Sequence, residues 1–260
     1  MDGMSLSVLL GLLFAAGCAG WIDAVAGGGG LIQLPALLIG LPTEQPATVL
    51  GTNKLSSVIG TSAATATYLR QPSARPDAKT ATLMAGTAFV GSMCGAKVAT
   101  AVPISFFRPV VVVLLIAVGL WTWLRPALGQ HENLRWSQQR RHFVIAIVAG
   151  GVIGFYDGIF GPGTGSFLVF VLVSVLGYSF LRASATAKIV NLGTNIAAIL
   201  VFGLGGHILI PLGLAMGACN LIGGVLGARM AAARGSGFVR IAFLSVVALL
   251  IVRVGWDIWR

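Results

Sequence analysis

Apolar residues fill this chain in blocks separated by short polar stretches, with ten such blocks at roughly 5–26, 29–41, 47–69, 80–101, 106–124, 142–160, 164–178, 183–205, 208–232 and 238–258. Most approach the roughly 20 residues an α-helix needs to cross a bilayer. The pattern predicts an all-α polytopic membrane protein of eight to ten spans. The block at 29–41 is too short: 13 residues at a rise of about 1.5 Å span about 20 Å, against a hydrocarbon core of about 30 Å. It is expected to be a half-helix or a broken helix. Two places interrupt the apolar pattern with residues that hydrocarbon should exclude. DAVAGGGGLIQLP runs from Asp23 to Pro35, and FYDGIFGPGTGSF from Phe155 to Phe167.

These two interruptions are copies. A shift of 134 carries Gly20 onto Gly154, Asp23 onto Asp157, Gly27 onto Gly161, Gly29 onto Gly163, Thr52 onto Thr186 and Lys54 onto Lys188. After a shorter loop the shift becomes 132, taking Gly91, Gly95 and Ala96 onto Gly223, Gly227 and Ala228, Lys97 onto Arg229, and Arg108 onto Arg240. The chain therefore divides into a first transmembrane repeat at 1–124, a polar linker at 125–141 and a second repeat at 142–260. Each has five segments, the second of them short or broken. Five is odd, so the halves are expected to have opposite orientation, as in the inverted repeats of many secondary transporters.

Charge then sets the orientation. The chain carries 17 Lys and Arg against 7 Asp and Glu, and only 9% of its residues are charged, where a soluble domain has about 25%. The mean hydropathy is +0.93. The cations lie in loops rather than on a basic face, so no nucleic-acid partner is expected. If all ten segments cross, one side receives Arg70, Arg75, Lys79, Arg125, Arg135, Arg140, Arg141, Arg182, Arg229, Arg234 and Arg240. The other keeps Lys97, Arg108 and Arg260. By the positive-inside rule loops 70–79, 125–141 and 229–240 are cytoplasmic. If the short segments turned back instead, the 229–240 cluster would land opposite the linker. FAAGC, Phe14 to Cys18, resembles a lipoprotein cleavage site, but MDGMS lacks the basic residue that a signal peptide needs. Leu6 to Ile22 is read as the first spanning helix, retained. Cys18, Cys94 and Cys219 form no C-x-x-C pair, which argues against a metal site or a disulfide framework.

The candidate chemistry sits at the interruptions. Backbone at membrane depth leaves the helix only where protein or a wet cavity receives it. Gly27 to Gly30 and the Gly161-Pro162-Gly163-Thr164-Gly165 run are poor helix formers. The short segment after each begins with N–H groups and the positive end of a helix dipole, and two such ends near the midplane would bind an anion. The alternative is close helix packing, which is the reading for Gly91, Gly95, Gly223 and Gly227. Gly28, Gly29, Gly163 and Ser166 are the backbone candidates. Lys54 and Lys188 are intramembrane cations, and such charges are functional by default. Thr52, Asn53 and Thr186 adjoin them, and Lys188, Asn191 and Asn195 share one helical face. Each lysine has two other readings: snorkelling to an interface, or neutralising the aspartate of its own half. Asp23 and Asp157 are either proton carriers or braces for the glycine turn. His207, in FGLGGHILIP, reads as a loop residue.

At these residues the chain resembles the sulfite exporter TauE/SafE family, also called TSUP. The marks are D-x-x-x-G-G-G-G at Asp23 to Gly30, T-N-K at Thr52-Asn53-Lys54, and F-Y-D-G-x-F-G-P-G-x-G-S at Phe155 to Ser166. The resemblance covers both repeats. It implies an integral protein of the bacterial inner membrane that transports small sulfur-containing anions such as sulfite or sulfonates. The second half has Thr186-Ala187-Lys188 where the first has Thr-Asn-Lys, so the implied site is not fully symmetric. The expected function is a secondary transporter working by alternating access, coupled to protons. A passive channel or uniporter through the same glycine breaks is the alternative. No enzyme is expected: H-E-x-x-H is absent, and GPGTGS lacks the ending of a Walker A motif. No cofactor is expected. The expected partners are a small anionic substrate and membrane lipid, and a homodimer is compatible with the sequence.

Overall fold

The computed structural model describes residues 5–100, 124, 131–136 and 139–258. The expected segment at 106–124, much of the linker, and Arg108, Arg125 and Arg260 lie outside the described residues, apart from Leu124. The described chain is helical throughout: α1 (Leu6–Ala26), α2 (Gly30–Gly40), α3 (Pro46–Leu69), a 3-10 turn (Pro72–Ala74), α4 (Ala78–Ala99), α5 (Arg140–Ile159), α6 (Thr164–Ser174), α7 (Phe180–Leu204) and α8 (Ile210–Ile258). α8 is two helices joined at Gly235, whose φ of 74° interrupts it between the expected segments. Leu6–Ala26, Arg140–Ile159, Phe180–Leu204 and Ile210–Ser245 are long and apolar enough to cross a membrane. The exterior carries large apolar side chains, with Phe14 76%, Val152 66% and Leu204 91% exposed. Gln33, Asn53, Lys54, Lys188, Asn191, Asn195 and Asn220 are buried. Polar-in and apolar-out is the arrangement that hydrocarbon selects.

Local chemistry fixes the ends of the helices. Ser5, Asp77 and Ser179 cap α1, α4 and α7 through their side chains, and Pro46 starts α3 where no N–H is needed. α1 stops because Gly27 turns left-handed at φ 81°, its N–H closing on the Asp23 carbonyl. The chain then folds back. A Cβ on Gly29 would lie 2.3 Å from the Ala19 carbonyl oxygen, and one on Gly40 would lie 3.2 Å from Val8 and Leu12. α2 therefore runs antiparallel along α1 and returns to the level where α1 began. With 11 residues it covers only about 16 Å. α6, also 11 residues, behaves alike. Its exit accepts N–H groups from the residues that lead into α5: Asn133 to the Gly177 carbonyl (2.8 Å) and Arg135 to that of Leu176 (2.9 Å). The two hairpins open toward opposite ends of the molecule.

Contacts in one half recur in the other with the partners exchanged. A Cβ on Gly20 would lie 2.2 Å from the Asn220 carbonyl, and one on Gly154 2.3 Å from that of Ala88. The same exchange relates Gly91 against Gly151 (2.3 Å) to Gly223 against Gly17 (2.0 Å). These glycines let α4 close on α5, and α8 on α1, backbone to backbone, which is the packing role expected of them.

One end gathers most of the loop cations within the described residues. Arg182 pairs with Glu132, and its Nε donates to the Arg75 carbonyl (3.0 Å). Tyr178 donates to Asp77 (3.3 Å), and His142 lies 3.1 Å from Thr80 Oγ1. The Leu181 N–H donates to Ser236 Oγ (3.3 Å). The 229–240 stretch therefore lies at the linker end even though α2 and α6 fold back, so the turned-back geometry does not move it to the opposite side.

Candidate functional site

The four intramembrane charges meet as two crossed ion pairs. Lys54 Nζ lies 2.6 Å from Asp157 Oδ2, and Lys188 Nζ lies 2.7 Å from Asp23 Oδ2. Neither lysine neutralises the aspartate of its own half, nor snorkels to an interface. α3 answers the end of α5, and α7 answers the end of α1. The break makes this reach available: a Cβ on Gly161, whose φ is 82°, would lie 3.0 Å from Lys54 Nζ. Lys54 and Asp157 are each 3% exposed, Lys188 is fully buried and Asp23 is 21% exposed. Such burial is tolerable only with both partners present, because a charge left alone in a dry interior costs several kcal/mol.

The two breaks touch. The Ser166 N–H donates to the Gly27 carbonyl (3.0 Å), and a Cβ on Gly27 would lie 2.3 Å from the Gly165 carbonyl carbon. One on Gly30 would lie 3.4 Å from Pro162 Cα. At this junction lies a small polar cavity of about 30 Å³, room for about two waters. Gly27, Gly30, Gly161 and Gly165 line it, so the starts of both short helices reach it. Asp23, Lys54 and Asp157 contribute charge. Asn53, Ser57 and Thr61 of α3 face Asn191 and Asn195 of α7. Asn53 Oδ1 and Asn191 Oδ1 are buried and lack a protein hydrogen-bond partner.

Of the expected residues Asp23, Asn53, Lys54, Asp157, Asn191 and Asn195 line the cavity, and the other seven do not. Thr52 Oγ1 donates to the Thr48 carbonyl (2.7 Å) and accepts the Leu209 N–H (2.9 Å), tying α3 to the entry of α8. Thr186 Oγ1 donates to the Arg182 carbonyl (2.8 Å). Neither threonine lines the cavity. Gly28 and Gly29 shape the turn: their carbonyls accept the N–H groups of Leu31 (3.1 Å) and Ile32 (3.0 Å). Those donors of α2 are therefore already used. Gly163, at φ 83°, starts α6 in the same capacity. Lys188 stands behind Asp23 rather than on the cavity wall. Ser57 and Thr61 are additions that the sequence already encoded, since the same shift of 134 carries them onto Asn191 and Asn195.

Ser166 does a different job from the one expected. It is one of several groups that satisfy the carbonyls at the end of α1. Tyr68 Oη donates to Ala24 (2.8 Å), Ser184 Oγ to Val25 (3.1 Å), and Ser166 Oγ to Ala26 (3.1 Å). Helix ends leave such carbonyls orphaned, and at membrane depth no bulk water replaces these donors.

Comparison with known proteins meets this geometry at its source. The family model for the sulfite exporter TauE/SafE matches residues 12–254, which include both breaks and both ion pairs. The chain belongs to the TauE/SafE family. It is 37% identical over 258 residues to the probable membrane transporter protein ORF9 of a Sinorhizobium species, covering 98% of this chain and 95% of that one. It is 36% identical over 254 residues to the probable membrane transporter protein YfcA of Escherichia coli K12, covering 96% and 91%. A probable membrane transporter protein of Haemophilus influenzae is 35% identical over 254 residues, covering 95% and 96%. No solved structure matches. This TauE/SafE protein is thus a multi-pass membrane transporter.

Proposed function

We propose that this TauE/SafE protein is a secondary transporter of small sulfur-containing anions, sulfite or a sulfonate, across the bacterial inner membrane. It works by alternating access between two inverted repeats and is coupled to protons. Loops 70–79, 125–141 and 229–240 face the cytoplasm. The family name supports the cargo class. The opposed hairpins, and the contacts that recur with partners exchanged, support the repeat. The observation that carries the mechanism is the crossed pairing of Lys54 with Asp157 and Lys188 with Asp23 beside a small polar cavity.

The chemistry follows from that pairing. Each ammonium is held by a carboxylate of the other repeat. A proton arriving on the carboxylate releases the ammonium, which then pairs with the anion. Loss of the anion lets the salt bridge re-form. Asn53, Ser57, Thr61, Asn191 and Asn195 supply hydrogen bonds that orient oxyanion oxygens. Because the pairs join the repeats, breaking and re-making them is linked to movement of one repeat against the other. Ion pairs that must break and re-form across the junction favour a carrier over a channel, which needs a continuous path. The test is anion flux into proteoliposomes holding the purified protein, comparing sulfite, sulfate, thiosulfate and a small sulfonate with and without a pH gradient. Saturable uphill flux driven by the gradient supports the reading. Flux that follows only the anion's own gradient replaces it with a uniporter or channel.

A further inference from the structure

The charge balance of the site carries an inference that rests on the transport reading above. Lys54, Lys188, Asp23 and Asp157 sum to zero. α3 brings Lys54, α5 brings Asp157, α1 brings Asp23 and α7 holds Lys188 behind it. Among the described residues no ionisable side chain of α2, α4, α6 or α8 lines the cavity. Two tyrosines stand near the carboxylates, and both spend their hydroxyls on backbone: Tyr68 on the Ala24 carbonyl (2.8 Å) and Tyr156 on that of Pro162 (2.6 Å). An anion that entered alone would bring an uncompensated charge into a site whose lysines are already neutralised at 2.6 and 2.7 Å. Neutral hydroxyls and amides solvate such a charge far less well than a freed ammonium does.

We propose that every negative charge of the cargo enters with one proton, so that transport is electroneutral. A monoanion moves with one proton and a dianion with two. The proton adds to a carboxylate oxygen, the carboxylate becomes a carboxylic acid, and the released ammonium pairs with the anion. The cavity is neutral before and after. Asp23 takes the first proton, because its side chain is 21% exposed whereas that of Asp157 is 3% exposed. Lys188, which stands behind Asp23, is therefore the first ammonium released, and its charge balances that of the anion across the neutral carboxyl. A dianion requires Asp157 and Lys54 as well.

The experiment uses proteoliposomes of the full chain with two probes that hold their charge across the neutral range, methanesulfonate (one charge) and sulfate (two). A pH gradient and a valinomycin-set potassium potential are imposed separately. Methanesulfonate is expected to accumulate about ten-fold per pH unit and sulfate about a hundred-fold, since one pH unit is a factor of ten per proton. Neither should respond to the potential. Accumulation that instead changes about 50-fold per 100 mV, as one uncompensated charge would, overturns electroneutrality and leaves the transporter reading standing. Absence of flux for both probes and for sulfite overturns the transporter reading and the inference with it. The variant Asp23→Asn sharpens the test. It leaves Lys188 permanently charged, so methanesulfonate flux should become potential-driven and lose its pH dependence. Potential-insensitive, pH-driven flux in folded Asp23→Asn protein overturns the assignment of the first proton.

Discussion

The two breaks solve one problem with different supports. At the end of α1 the exposed carbonyls are met from a distance, by Tyr68 of α3, Ser184 of α7 and Ser166 of α6. At the end of α5 the support is local. Tyr156 donates to Pro162 (2.6 Å), and Thr164 Oγ1 donates to Gly161 (2.8 Å). The shift that preserves Asp and Lys places Phe202 opposite Tyr68, Leu50 opposite Ser184 and Ile32 opposite Ser166. The shift keeps the break and the ion pair but not their bracing. The first break cannot shift without its partners on α3, α6 and α7, whereas the second carries its own caps. The carbonyls of one turn are capped from other helices, and those of the other by residues beside it.

The ion pairs test this asymmetry most severely. Lys54→Gln leaves Asp157 buried without a counter-charge, a change that costs about 3–5 kcal/mol. Lys188→Gln should cost less, because Asp23 is 21% exposed and water can partly solvate it. Thermal unfolding in detergent should rank Lys54→Gln below Lys188→Gln, with sulfate flux abolished in both. The double variant Lys54→Gln/Asp157→Asn should regain most of the stability and none of the sulfate flux. Full flux in the Lys54→Gln/Lys188→Gln double variant would remove the lysines from the site.

Next come the glycines that turn each break. Gly27→Ala combines a left-handed backbone, about 1–2 kcal/mol for a residue with a Cβ, with a Cβ placed 2.3 Å from Gly165 backbone, for which overpacking adds about 1–3 kcal/mol. Gly161→Ala has the same backbone strain, but its obstruction is the tip of the Lys54 side chain, 3.0 Å away. It should therefore unfold at a higher temperature than Gly27→Ala while still losing sulfate flux, since Lys54 is pushed off Asp157. Equal stabilities would contradict the distinction between a turn capped from other helices and one capped by residues beside it.

The caps make a finer test. Tyr68→Phe and Ser184→Ala each leave a buried carbonyl unsatisfied, at about 1–3 kcal/mol. Tyr156→Phe should cost less, because Tyr156 is only partly buried. A double-mutant cycle over Tyr68 and Ser184 should show coupling, since both brace one turn. Tyr68 paired with Tyr156 should be additive.

Much of this was legible in the chain. Apolar blocks and glycine runs place the helices within a few residues, because hydrocarbon permits few alternatives to a helix. Membership of the cavity was read less well. Thr52 and Thr186 adjoin their lysines in sequence, but two residues are about 200° apart around a helix, so they face elsewhere. Ser57 and Thr61, three and seven residues past Lys54, share its face. The crossing of the ion pairs was not legible at all. Helical periodicity says which residues share a face, not which distant helix that face meets.

The smallest expected effect lies outside the membrane, where the two halves again differ. α4 begins at Asp77, whereas the matching shift of 132 lands on Leu209, whose N–H finds Thr52 instead. Burial raises the affinity of the Asp77 carboxyl for its proton. Hydrogen bonds from Thr80, the Lys79 N–H and Tyr178 outweigh it and hold the group below the ordinary carboxylate range. A carboxyl depressed in the folded state stabilises the protein at pH above its unfolded value, and that contribution is lost as pH falls through the lowered folded value. The difference in melting temperature between the wild type and Asp77→Asn should therefore be small and constant at neutral pH, and shrink below about pH 4. Because Asp77 is largely solvated, salt should reduce the effect further. A difference that grows on acidification would mean that the carboxyl is not held by these donors.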